Sequence, residues 1–221
     1  MDKVVLNRYY RTIMPSPRRN PSPAGPIVAG RAQTRDLVLS AVAGSTPAFH
    51  QLADRYQDAV YRLVYHRLRS QMDAEDLTQD VFFKAYRQLH KLKHPERFKS
   101  WLFSIALNRI RDHLRREKIK RLFGLVPGES AEPEAHRADP AAPDGFSQLG
   151  RRQFWDIVTA IVETMSAGER EVFLLRFIDQ LGLAEMAQVL KKGESTVKTQ
   201  LYRSIAKFRT HPESDRLKGL L

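Results

Sequence analysis

Between Gly124 and Gly150 the chain sets Pro127, Pro133, Pro140 and Pro143 in an Ala-rich, acidic stretch with no apolar period. Each proline removes a backbone donor and obstructs a continuing helix, so no regular element can run through this segment. The chain must therefore be built as two bodies joined by a linker. We place an N-terminal body at residues 36–120, the linker at 121–150, a C-terminal body at 151–210 and a tail at 211–221. Residues 1–35 hold Pro15, Pro17, Pro21, Pro23 and Pro26 among Arg and Ser, which reads as a disordered basic arm.

Both bodies read as helical. No run alternates apolar and polar residues between turn signals, whereas several segments carry the helical period, so the class is all-α. In the N-terminal body Thr46-Pro47 reads as a cap with proline opening a helix, followed by the stripe Phe49, Leu52, Tyr56, Val60, Leu63 and Val64. Asp73 reads as the cap of the next helix, which buries Leu77, Val81, Ala85 and Leu89. Asp76, Gln79, Asp80 and Phe83 then fall together on its other side. A phenylalanine among carboxylates on an outer face suits contact with another protein, although packing under the arm or a neighbouring helix is open.

The segment Phe98 to Arg116 is apolar over much of its circumference and is expected to be mostly buried. Ser100, Ser104, Asn108, Arg111, Arg115 and Lys118 nevertheless share one sector, with Trp101 at its border. Cations for phosphates beside a ring for an unstacked base suit single-stranded nucleic acid; a solvated face beside a core tryptophan is the alternative.

The C-terminal body ends in a helix-turn-helix pattern. Ala184, Met186, Ala187 and Leu190 give a small apolar inner face, Gly193 supplies the turn or cap, and a second helix starts near Ser195. Val197, Leu201, Ile205 and Phe208 form its buried stripe, which leaves Ser195, Thr196, Thr199 and Arg203 facing outward. Upstream, Ser166-Ala167-Gly168-Glu169 is a capping-box pattern.

Charge directs this reading toward nucleic acid. Lys plus Arg is 37 against 25 Asp plus Glu, a formal net charge of +12. Residues 1–35 carry seven basic and one acidic residue, residues 97–123 nine and two, and residues 190–221 eight and three. Residues 124–150 are acidic, with Glu129, Glu132, Glu134, Asp139 and Asp144 against Arg137. Two basic surfaces joined by a connector of opposite sign suit a protein that touches DNA at two places. Cysteine is absent, which excludes thiol chemistry and Cys-ligated metals and fits a reducing compartment. No apolar run of about 18 residues and no signal-peptide core are present, so a cytoplasmic location without membrane insertion is expected.

In this order the motifs resemble the extracytoplasmic-function (ECF) sigma factors of bacterial RNA polymerase. The resemblance is carried by Asp73-Ala74-Glu75-Asp76-Leu77-Thr78-Gln79-Asp80-Val81-Phe82, by Trp101-Leu102 with Ile105-Ala106 and Asn108, and by Arg170 to Phe177 leading into the helix-turn-helix with Thr196-Val197-Lys198. It implies a factor with no catalytic residues, no metal and no cofactor that binds RNA polymerase core at the largest-subunit clamp helices and the flap. Asp76, Gln79, Asp80 and Phe83 would face core. Trp101, Ser104, Asn108, Arg111 and Arg115, with the loop 89–99, would hold the non-template single strand of the minus-ten element. Ser195, Thr196, Lys198, Thr199, Gln200 and Arg203 would meet the minus-thirty-five duplex, and an anti-sigma factor is an implied partner. The linker of such factors runs through polymerase channels that later hold RNA. Lys191 and Lys192 stand where the family usually has Gly and a β-branched residue, Gln200 where Arg is common, and Gly182-Leu183 where a polar cap is usual.

Two other classes fit parts of the chain. One is a regulator that uses the C-terminal motif without polymerase, against which the Phe83 face argues. The other is a metal-dependent nuclease holding Mg²⁺ on Asp73, Glu75, Asp76 and Asp80, but helical spacing aligns only Asp76 with Asp80.

Overall fold

The computed structural model describes residues 27–123 and 148–219, which fall into two compact units, and all their regular structure is helical. The arm residues 1–26 and the linker residues 124–147 lie outside the described residues.

The N-terminal unit contains α1 (Ile27–Val42), α2 (Thr46–Leu68), α3 (Gln71–Gln88) and α4 (Phe98–Leu122), with short 3-10 turns at Leu89–Lys91 and Pro95–Arg97. Residues 27–35, expected to belong to the arm, are helical. Pro26 is the last helix-breaking residue before them, and tertiary contacts hold the helix beyond it. Val38 and Thr34 are buried, Arg55 Nη1 donates to Thr34 Oγ1 at 3.0 Å and Arg55 Nη2 to Gln33 Oε1 at 2.6 Å. Residues 1–35 read as an arm from their prolines and their excess of basic over acidic residues, but the helical face carrying Thr34 is packed.

Two caps sit earlier than expected. Ser45, not Thr46, caps α2, its Oγ accepting from the Ala48 amide at 3.3 Å. Ser70, not Asp73, caps α3, its Oγ accepting from the Asp73 amide at 3.3 Å, so Asp73 lies in the first turn. Ser and Asp are equally good caps, and the choice goes to the residue whose backbone is extended. The core joins Leu52, Val60, Leu63 and Val64 of α2 to Val81 and Ala85 of α3 and to Phe98, Leu102 and Ala106 of α4, all fully buried. Tyr56 and Leu77, assigned to buried stripes, are only half-buried.

The C-terminal unit contains α5 (Gln148–Glu163), α6 (Ala167–Phe177), α7 (Leu183–Leu190), α8 (Glu194–Thr210) and α9 (Ser214–Gly219). Ile157, Val158, Ile161, Val162, Met165, Phe173 and Phe208 form its core, with Phe173 stacked on Phe208 at 5.1 Å between ring centroids. On α8 the buried positions are Val197, Ser204 and Phe208, while Leu201 and Ile205 are half-buried. Ser204 lies about 20° from Val197 on the helical wheel, inside the packed sector, and its hydroxyl is satisfied locally by donating to Leu201 O at 2.8 Å, so a polar residue is tolerated inside. The expected tail contains α9, which rests on α5 and α8.

The turn of the helix-turn-helix uses Lys191, not Gly193, for its left-handed residue: Lys191 has φ 53° and ψ 45°, whereas Gly193 caps α8 with φ −65°. The Lys192 amide closes α7 onto Ala187 O at 3.0 Å. A side chain in this region costs about 1–2 kcal/mol, partly offset by the entropy a glycine would lose on folding. Lys191→Gly is therefore expected to stabilise the C-terminal unit by about 0.5 kcal/mol, read as a raised urea midpoint at unchanged m-value.

Candidate protein and nucleic-acid interfaces

Asp76, Gln79, Asp80 and Phe83 line one shallow open depression on α3. The Phe83 ring is 62% exposed and no helix among the described residues covers it. The Arg87 guanidinium lies over that ring, 5.6 Å from its centroid. Asp80 is ion-paired with Arg109 of α4, which fixes its position and neutralises part of its charge. Asp76 stays exposed, so it is the carboxylate more available to a cationic partner. The metal-site alternative gains no support, since no group of three His, Cys, Asp or Glu that could hold an ion occurs among the described residues.

Trp101 is half-buried against Phe98, with ring centroids 5.8 Å apart. Ser104 donates to Trp101 O at 2.7 Å, so its hydroxyl is turned back on the helix. Asn108, Arg111 and Arg115 are exposed; Arg111 Nη1 donates to Asn108 Oδ1 at 3.3 Å, and Arg115 Nη2 pairs with Asp112 at 3.1 Å. Ser100, expected on the polar stripe, is buried instead. The N-terminal half of α4 is packed around most of its circumference, so polarity alone does not bring Ser100 outside.

On α8, Ser195, Thr196, Lys198, Thr199 and Arg203 are exposed. Thr199 donates to Ser195 O at 3.0 Å. Tyr202, which the sequence reading did not single out, is 62% exposed, with the Lys198 ammonium 6.0 Å from its ring centroid. Its place on the outward arc was available from helical spacing alone. Gln200 departs from its group: it is half-buried, and Lys192 Nζ donates to its Oε1 at 3.3 Å.

One long-range pair holds α8 to α6. Lys207 Nζ reaches Glu169 Oε2 at 2.7 Å, and Glu169 is also the reciprocal partner in the Ser166 capping box. The Lys207 hydrogen bond, followed by the Ser166 amide, pulls the Glu169 carboxyl down to about 2. A depressed carboxylate contributes stability that is complete above its ordinary value and lost as pH falls toward the folded one, here between about 4.5 and about 2. Lys207 is 45% exposed, so solvent screening reduces the contribution to about 1–2 kcal/mol. Glu169→Gln keeps a capping acceptor and removes the charge. It is expected to lose that amount at neutral pH and to flatten acid destabilisation in this window, as measured by urea unfolding across pH.

One unit presents an exposed acidic and aromatic face, and the other a helix-turn-helix with an exposed face of hydroxyls and cations. Residues 52–119 match the family model for Sigma-70 region 2 and residues 155–208 that for Sigma-70 region 4, together just over half of the chain. The chain is 32% identical over 176 residues to the ECF RNA polymerase sigma factor BldN of Streptomyces coelicolor, covering 79% of this chain and 64% of that one. It is 28% identical to the ECF RNA polymerase sigma factor SigW of Bacillus subtilis, covering 72% of this chain and 86% of that one. The solved structure of CnrH in complex with the cytosolic domain of CnrY superposes with a TM-score of 0.59 at 26% identity, over 85% of this chain and 98% of that one. The chain belongs to the ECF sigma factors. No helix among the described residues is long and apolar enough to cross a membrane.

Proposed function

We propose that this chain is a promoter-specificity subunit that binds RNA polymerase core through the α3 face and guides it to DNA through α4 and α8. The observation that carries the reading is the joint placement of Asp76, Gln79, Asp80 and Phe83 around one open depression. An exposed phenylalanine framed by carboxylates favours a protein partner over a regulator that contacts DNA alone. Asp76 offers charge, and Phe83 offers apolar area to a helical partner such as the clamp helices.

The α4 surface supplies the second contact. Trp101 offers a half-exposed ring beside Phe98 at the end of the loop 89–99, while Asn108, Arg111 and Arg115 supply donors along one exposed flank. Strand opening at the minus-ten element is then binding work: extruding a base costs a few kcal/mol and is offset by stacking and phosphate contacts. In the third contact, Ser195, Thr196, Lys198, Thr199 and Arg203 enter the major groove of the minus-thirty-five duplex. The protein works in the cytoplasm without a cofactor or catalysis of its own. An inhibitor of the anti-sigma type, as NepR is named for its complexed sigma factor RpoE, would act by covering these same faces.

Run-off transcription with purified bacterial core and a pool of genomic promoter fragments tests the reading. Defined start sites that appear only when the protein is added support it. Retained duplex binding with neither start sites nor association with core would replace it with the stand-alone regulator.

A further inference from the structure

Gln200 stands on the recognition helix, yet its geometry separates it from the residues that face DNA. At about 100° per residue, Ser195, Thr196, Lys198, Thr199, Tyr202 and Arg203 spread over roughly 160° centred opposite buried Val197. Gln200 lies outside this arc, roughly 60° from Val197 and 40° from buried Ser204, on the flank that meets α6. Two contacts fill that flank. A Cβ built on Gly168 would stand 2.7 Å from Gln200 Nε2, so the amide lies directly over the bare glycine of α6. On its other side, Gln200 Oε1 accepts from Lys192 Nζ at 3.3 Å.

We propose that Gln200 is a positioning residue: it reads no base, but lies on Gly168 and holds the Lys192 ammonium beside the start of the recognition helix, where it meets a phosphate of the duplex. This rests on the reading that α8 docks in the minus-thirty-five major groove. Three observations support it. Lys192 is exposed in the turn that leads into α8, the place from which cations reach the backbone flanking a groove-bound helix. An amide oxygen cannot neutralise the ammonium, so the charge stays available while its position is restricted. Gly168 is the element of the arrangement that any side chain would disturb, because the space over it is occupied by the far end of Gln200.

The test uses holoenzyme assembled from core and full-length protein on a duplex recovered by run-off transcription, with binding titrated against salt and against single-base changes in the minus-thirty-five element. Lys192→Ala is expected to weaken all sequences alike and to reduce the slope of log K against log salt by about 0.9, the value for one phosphate contact. Gln200→Ala should weaken binding two- to five-fold on every sequence and leave the penalty for each base change as in the wild type. Gly168→Ala, which displaces a flexible amide and adds a helix-favouring residue, should reproduce the Gln200→Ala effect and have no further effect when combined with it. A merely structural glycine would show its own effect in both backgrounds.

If Gln200→Ala instead erases the penalty at one base pair while the salt slope stays unchanged, Gln200 is a base reader and the proposal is wrong. An additive Gly168→Ala effect or an unchanged Lys192→Ala slope overturns it equally. A wild-type holoenzyme that shows no minus-thirty-five preference would instead sink the promoter-reading function itself. Thermal unfolding of each variant monitors folding, and Gln200→Glu, which pairs with Lys192 and cancels its charge, gives the same slope test with the side-chain volume retained.

Discussion

Phe83→Ala is expected to weaken binding to RNA polymerase core about 30-fold or more, in line with the ~2 kcal/mol typical of an aromatic anchor at the centre of an interface. The same change should alter the protein's own stability by no more than about 0.5 kcal/mol, because a ring that is 62% exposed leaves no cavity when removed. The contrast between the two readouts is decisive: a phenylalanine this exposed has little to contribute to the isolated fold. The Arg87 contact over its ring accounts for only about 0.5 kcal/mol at an exposed site. Asp76→Asn should reduce affinity further in low salt than in high salt. Asp80→Asn should disturb the Arg109 pair as well, and with it the seating of α3 on α4. Fluorescence anisotropy of labelled protein titrated with core, beside thermal unfolding of each variant, gives both quantities. Unchanged affinity for Phe83→Ala would remove the α3 depression from the polymerase interface.

That face was legible in the sequence because helical geometry is local. Asp76, Gln79, Asp80 and Phe83 are fixed relative to one another by a rise and a rotation per residue, and no other part of the chain enters the calculation. The outward set on α8 was readable for the same reason, and Tyr202 could have been added to it. Features that depend on a second element were not readable. Glu169 and Lys207 are 38 residues apart, and only the packing of α6 on α8 brings them to 2.7 Å. Helical spacing alone sets Gln200 outside the outward arc, but its seat over Gly168 depends on the packing of α6 on α8 and was not readable. Thr34 belongs to a stretch whose composition reads as an arm, and only Arg55 and Tyr56 on α2 show that its face is packed. Cap positions failed differently: Ser70 and Asp73 are both competent caps three residues apart, and type alone cannot choose between them.

The C-terminal unit depends on one aromatic pair more than on any surface feature, which separates the two halves of the proposed function experimentally. Phe208 is 1% exposed and stacks on Phe173 with an interplanar angle of 22°. Replacing it with alanine removes the whole buried ring from the point where α8 meets α5 and α6, and such truncations cost about 3–5 kcal/mol. Small domains are stable by only about 5 kcal/mol at the lower end of the usual range, so this loss should leave much of the C-terminal unit unfolded at growth temperature. Trp155 packs at the edge of this core and Trp101 lies in the other unit, so fluorescence in a Trp101→Phe background follows the C-terminal unit separately. Phe208→Ala should therefore abolish discrimination at the minus-thirty-five element while affinity for core through the α3 face falls no more than modestly. Phe208→Leu, which keeps much of the volume, should cost about 1 kcal/mol and retain discrimination. Joint collapse of both units in Phe208→Ala would show that the core-binding unit needs the helix-turn-helix to fold. Intact promoter discrimination would show that α8 is not the element that reads the duplex.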